Sequence, residues 1–179
     1  MLIYNEATGD LCGCLNLSQP DDNLPDIKAP SNMVISSIDD RIYLASSVRS
    51  NNKEDDLAAK VYCLSFQKEQ RNGGGYILHI VPDRVITIEW PAPDQNILGS
   101  FAGLLEPERY VSVITSMAEA PDGRLCVVGF TAPRFKEEPW YTAPRFFTRP
   151  MLAIIEPDAG TSDIYTLSDV NLPLSVVWR

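Results

Sequence analysis

Three stretches of the chain repeat one pattern, a polar turn that ends in arginine and runs straight into an apolar strand. They are Asp40-Arg41-Ile42-Tyr43-Leu44-Ala45, Asp83-Arg84-Val85-Ile86-Thr87-Ile88 and Asp122-Gly123-Arg124-Leu125-Cys126-Val127-Val128. The arginines stand 43 and 40 residues apart. A recurrence at that interval means that one supersecondary unit is built more than once. Almost nothing in the chain has helical period. β-branched and aromatic residues cluster in short runs bounded by Gly, Pro, Asn and Asp, as strands and their turns require. The fold class expected is all-β.

Two units can be written out strand by strand. The first takes Met33 to Ile38, Ile42 to Val48, Lys60 to Phe66 and Tyr76 to Val81; the second takes Val111 to Met117, Leu125 to Phe130, Met151 to Glu156 and Ile164 to Leu167. Their middle strands are apolar at consecutive positions, as in Leu125-Cys126-Val127-Val128, which suits sheets covered on both faces. Four antiparallel strands per unit, recurring at about 40 to 45 residues, is the period of a β-propeller blade. On that reading 1–17 is a half blade, 33–81 and 111–167 are blades, and 172–178 is a terminal strand. The middle, 82–110, is either a third blade or a connection, because Ile77 to Val81 is needed both by the first unit and by the turn at Asp83-Arg84. A closed ring has four to eight blades, so the chain is expected to be an incomplete propeller, one completed by oligomerisation, or a small four-bladed form.

The run Ile114-Thr115-Ser116-Met117-Ala118-Glu119-Ala120-Pro121-Asp122-Gly123-Arg124-Leu125-Cys126-Val127-Val128-Gly129, followed by Leu152-Ala153-Ile154-Ile155-Glu156-Pro157-Asp158-Ala159-Gly160, resembles a blade of the NHL, gluconolactonase-like and quinoprotein-like propellers. The resemblance implies a propeller and leaves function open, since these folds host hydrolases, dehydrogenases and pure binding modules. The chain departs from other propeller families. It has no strand-ending Trp-Asp pair, no sialidase-type box, and a triple glycine at Gly73-Gly74-Gly75 without the companions of a kelch blade.

Composition removes several classes of function. The 179 residues carry 24 acidic against 15 basic side chains, a formal charge of −9, which repels a nucleic-acid backbone. Apolar runs are far shorter than the roughly 20 residues of a membrane helix, so neither a nucleic acid nor a membrane is an expected partner. Cys12, Cys14, Cys63 and Cys126 lack framework or metal spacing and read as buried free thiols, which favours a reducing, cytoplasmic setting over an oxidising one. His79 is the single histidine and falls inside a strand, with no nucleophile motif beside it. Neither Asp21-Asp22 with Asp26 nor Glu54-Asp55-Asp56 has the alternating ligand spacing of a calcium loop, and both read as solvated acidic loops. No cofactor is expected; calcium is the one metal these acidic runs bring into question.

In a propeller layout the long insertions, Leu17 to Asn32, Arg49 to Ala59, Pro82 to Tyr110 and Thr131 to Pro150, gather on one face. The last is the richest. It holds an internal duplication, Thr131-Ala132-Pro133-Arg134-Phe135 and Thr142-Ala143-Pro144-Arg145-Phe146, with Trp140, Tyr141, Phe147 and Arg149 nearby. Aromatic rings and arginines are the commonest binding hot spots because they bury much area at low entropic cost. The candidate binding residues are therefore Arg134, Phe135, Trp140, Tyr141, Arg145, Phe146 and Arg149, and the alternative for these rings is packing on the protein's own surface. The expectation is a binding or interaction module for a protein or small-molecule ligand, with self-association as a further option. The rivals are a gluconolactonase-like or quinoprotein-like enzyme with an axial metal or cofactor, and a structural fragment without activity of its own.

Overall fold

The computed structural model describes residues 2–4, 11–14, 30–46, 59–70, 76–91, 105–135, 148–168 and 175–177. Among these there are ten strands and no helix: β1 Leu2–Tyr4, β2 Leu11–Cys14, β3 Pro30–Ile35, β4 Arg41–Ser46, β5 Ala59–Gln70, β6 Tyr76–Ile88, β7 Leu105–Glu119, β8 Leu125–Phe135, β9 Arg149–Glu156 and β10 Thr161–Thr166. β1 and β2 pair as a two-stranded ribbon, β3 to β6 form one four-stranded sheet, and β7 to β10 form another. Every pairing is antiparallel, and in both larger sheets each strand lies beside its neighbour in sequence. The chain is thus all-β, with two complete four-stranded meanders.

The turns are local products of sequence. In the β7–β8 turn Gly123 has φ 87°, and its N–H donates to the carbonyl of Ala120 at 2.9 Å; in the β9–β10 turn Gly160 has φ 71°, and its N–H donates to the carbonyl of Glu156 at 2.8 Å. Only glycine takes that left-handed region without strain. The β3–β4 turn has no glycine. There Ser36 Oγ accepts from the N–H groups of Ile38 and Asp39, both at 3.1 Å, a side-chain substitute for backbone pairing.

The third arginine-headed segment is not a turn. Asp83-Arg84 lies inside β6, which runs unbroken from Tyr76 to Ile88. Cys63 faces Arg84 and Leu64 faces Pro82, so Asp83 is the extra residue of a bulge. Pro82 is tolerated there because β6 is an edge strand and a bulge has no ladder bond to lose. This resolves the double claim on Ile77 to Val81: they and Val85 to Ile88 belong to one strand. Of the segment 82–110, residues 82–88 belong to β6 and 105–110 open β7, and 92–104 lie outside the described residues. At the other end, the expected terminal strand is not formed over 175–177. The N–H of Val176 goes to a side chain instead, donating to Ser116 Oγ at 3.1 Å.

The two sheets share one apolar core. Tyr43, Ala45, Ala59, Val61, Cys63, Ile86 and Ile88 from the first meet Ile114, Met117, Leu125, Val127, Met151, Ala153 and Ile155 from the second. The two-residue alternation along each strand puts these positions on facing sides. Each fully buried aliphatic side chain contributes about 1.5–3 kcal/mol relative to exposure. Trp90, just beyond β6, closes the same core. The reverse face of the first sheet is also apolar, with Ile42, Leu44, Tyr62 and Leu64 buried and Phe66 and Ile80 packed on them. On the reverse face of the second, Cys126 and Val128 are buried while Leu152 and Ile154 are half-buried. This is why the middle strands read as continuous apolar runs rather than alternating ones.

Candidate functional site

The two ends of the sheets differ in construction. At one end lie the short turns after β3, β7 and β9, and these are tied together across the sheets. Arg41, the first residue of β4, sits 2.6 Å from the Asp158 carboxylate, 3.3 Å from Asp39 and 3.6 Å from Asp83. The hydrogen bond to Asp158, above all, raises the Arg41 guanidinium beyond its ordinary range. Arg84 Nη1 donates to the carbonyls of Pro157 at 3.2 Å and Asp158 at 2.6 Å. Glu119, at the end of β7, accepts from Ser36 Oγ and from the N–H and Oγ of Ser37, the last two at 2.7 and 3.0 Å. Arg124 pairs locally with Asp122 at 2.8 Å and approaches Glu156 at 3.8 Å. Its hydrogen bond holds the Asp122 carboxyl below the usual carboxylate range. The repeated arginines therefore bind turns, and their chemistry is consumed within the protein.

Behind this end Cys63 and Tyr43 are buried. Burial pushes the Cys63 thiol up to about 11 and raises the Tyr43 phenol, with Arg41 drawing the phenol partly back. Cys63 and Cys126 are both free, buried thiols, and such thiols are poor nucleophiles at neutral pH. Among the described residues no group of three or more His, Cys, Asp and Glu is placed to hold a metal ion.

The other end carries the long connections. Strand order alone places the residues after β4, β6 and β8 at the same end of their sheets as those before β3, β5, β7 and β9. Two polar side chains at their roots, one buried and one half-buried, are held by hydrogen bonds to backbone carbonyls, as polar groups removed from water require. Thr131 on β8 is fully buried and donates to the carbonyl of Pro91 at 3.2 Å. Tyr110 Oη on β7 donates to the carbonyl of Trp90 at 3.3 Å. Trp90 itself is 2% exposed, and its ring lies over Gly129, where any Cβ would run into Trp90 and into the Val113 carbonyl. Trp90 Nε1 is buried and has no hydrogen-bond partner among the described residues.

Of the sequence-derived candidates, Arg134 and Phe135 are the last two residues of β8, opposite Glu106 and Leu105. Arg149 opens β9 opposite Thr131, and its Nη2 donates to Thr166 Oγ1 at 3.2 Å. These three therefore flank one connection, 136–147, from its two sides. Trp140, Tyr141, Arg145 and Phe146 lie outside the described residues, as do the acidic runs at Asp21 and Glu54 and the triple glycine at Gly73. His79 is in β6 opposite Gln67. Trp90, Tyr110 and Thr131 were not singled out as site residues from sequence. The available signal was a tryptophan held between the end of an apolar strand and Pro91, a position where a ring usually closes a core. No family model, curated protein or solved structure matches the chain.

Proposed function

We propose that the chain is a binding module that presents its long connections from one end of a rigid two-sheet scaffold, and that its two sheets are neighbouring blades of a propeller-type stack. One observation carries the reading: the long connections leave from a single end, whereas the short-turn end is closed by Arg41, Arg84 and Glu119 on partners within the chain. Loops on a rigid scaffold are where recognition concentrates. The blade reading draws support from the meander order of both sheets, from apolar side chains on both faces of each, and from the tie between Glu119 of β7 and the residues that follow β3.

The recognition surface on this reading centres on the connection between Arg134 and Arg149, with Trp140 and Tyr141 as anchors and Trp90 beneath the same end. The test is the combined variant Arg134→Ala, Trp140→Ala, Tyr141→Ala and Arg145→Ala, compared with the wild type by circular dichroism, thermal unfolding and affinity capture from cell extract. The expected outcome is an unchanged unfolding midpoint with loss of the captured partner. A variant that unfolds, or that captures the same set as the wild type, assigns these side chains to packing and removes the proposal.

A further inference from the structure

The four edges of the two larger sheets are not equally guarded. β3 carries Pro30 with a register irregularity beside it, β6 carries Pro82 and the Asp83 bulge, and β7 carries Pro107 and two irregularities. Prolines and bulges are the devices by which proteins stop an edge from recruiting another strand. β10, at the outside of the second sheet, has neither: Thr161 to Thr166 pair with Glu156 to Met151 in unbroken register.

The ladder shows which groups that edge offers. The N–H of Leu167 donates to the carbonyl of Pro150 at 3.0 Å. Bonded and non-bonded pairs alternate in an antiparallel ladder, so Thr161, Asp163 and Tyr165 turn their backbone groups toward β9. Ser162, Ile164 and Thr166 turn theirs outward. Ile164 packs its side chain into the core, which fixes the strand, while Tyr165 is 51% exposed on the reverse face.

We propose that a second copy of this chain pairs antiparallel along the outward edge of β10, about a two-fold axis at Ile164, joining the two β7–β10 sheets into one continuous sheet. In that register Ile164 meets its own counterpart and Ser162 meets Thr166 of the other copy, so that every outward N–H and C=O is satisfied by about six hydrogen bonds. Asp163 stands directly opposite Tyr165 of the other copy, twice, in the closely spaced non-bonded pairs where side chains interact most. Like charges never face each other. Sliding the pairing one step toward the β9–β10 turn would set Asp163 against Asp163, and sliding it one step the other way would leave fewer outward groups of Thr161 to Thr166 paired. A closed two-fold interface also ends growth at the dimer. The proposal is independent of the loop-end reading, since it uses a different surface.

The experiment is sedimentation velocity of the full chain over about a hundredfold range of concentration, on the wild type and three variants whose folding is checked by circular dichroism. The wild type is expected to shift reversibly from monomer to dimer. Tyr165→Asp sets two carboxylate pairs face to face and is expected to weaken association by about tenfold or more. Asp163→Lys combined with Tyr165→Asp places opposite charges in the same positions and is expected to restore the dimer. Ser162→Pro removes one outward donor without touching the bonds to β9 and is expected to weaken it. A wild type that stays monomeric throughout overturns the proposal, as does a dimer indifferent to Tyr165→Asp or a charge swap that restores nothing.

Discussion

Arg84 on β6 places Nη1 2.6 Å from the backbone carbonyl of Asp158, in the β9–β10 turn of the other sheet, while Arg41 on β4 holds the carboxylate of that same aspartate at 2.6 Å. One turn is thus clasped by two arginines, one through its backbone and the other through its side chain. The two contacts are not equivalent. The Asp158 side chain is 84% exposed, so the ion pair is screened and worth at most about 1 kcal/mol. The Arg84 bonds satisfy carbonyls that a tight turn leaves open.

Arg41→Ala is therefore expected to lower unfolding stability by less than about 1 kcal/mol and only at low salt. Arg84→Ala is expected to cost about 1 kcal/mol with little salt dependence. Denaturant unfolding at two ionic strengths separates them, and equal salt sensitivity would contradict the assignment.

Gly160 has φ 71°, and a Cβ there would lie 2.8 Å from Arg84 Nη1. Gly160→Ala should destabilise by about 1–2 kcal/mol, partly through backbone strain and partly through displacing Arg84. The Arg84 share disappears when Arg84→Ala is already present, so a double-mutant cycle should be less than additive.

The approach of Trp90 to Gly129 leaves no room for a methyl group, since both the indole and the Val113 carbonyl occupy it. Gly129→Ala is expected to cost more than about 3 kcal/mol. Trp90→Ala should cost about 3–5 kcal/mol through the cavity it opens. Trp90→Phe retains much of the ring and discards an N–H that has no partner among the described residues, so it should be clearly milder than Trp90→Ala. A Phe variant as damaging as the Ala variant would show that Nε1 has an acceptor.

Glu119 ties the end of β7 to the turn after β3 through Ser36 and Ser37. Glu119→Ala is expected to cost about 1 kcal/mol and to speed amide hydrogen exchange at Ser37, whose N–H loses its acceptor. Exchange unchanged at Ser37 would rule out that tie.

Cys63 titrates near 11 in the folded protein against an ordinary 9.0, because burial disfavours the thiolate. Below about pH 9 the thiol is protonated whether or not the chain is folded. From about 9 to 11 only the unfolded chain releases the proton, so stability falls as pH rises through that window, by about 2 kcal/mol in all. Tyr43, raised for the same reason, adds a loss of the same sign at higher pH. Thermal unfolding from pH 8 to 11 should show the decline, and Cys63→Ala should flatten its first part. An unchanged slope in that variant would exclude Cys63 as the cause.

The amino-acid sequence by itself determined the elements that depend on near neighbours. Period-two and continuous apolar runs gave the strands of both meanders, and Asp122-Gly123 and Asp158 to Gly160 gave turns, because strand pleat and positive φ are properties of a few consecutive residues. The same local reasoning misread Asp83-Arg84, which looks like the turns at Asp40-Arg41 and Asp122 to Arg124. What separates them is a partner strand, since β5 continues past Arg84 and absorbs Asp83 as a bulge. Only the tertiary structure decided that Arg41 and Arg84 converge on Asp158, that Trp90 occupies the space above Gly129, and that β10 is the edge of the two larger sheets with neither proline nor bulge. Each of these joins residues far apart in the chain, and their proximity is set by which faces of two sheets bury their apolar side chains against each other, a relation no short window of sequence contains.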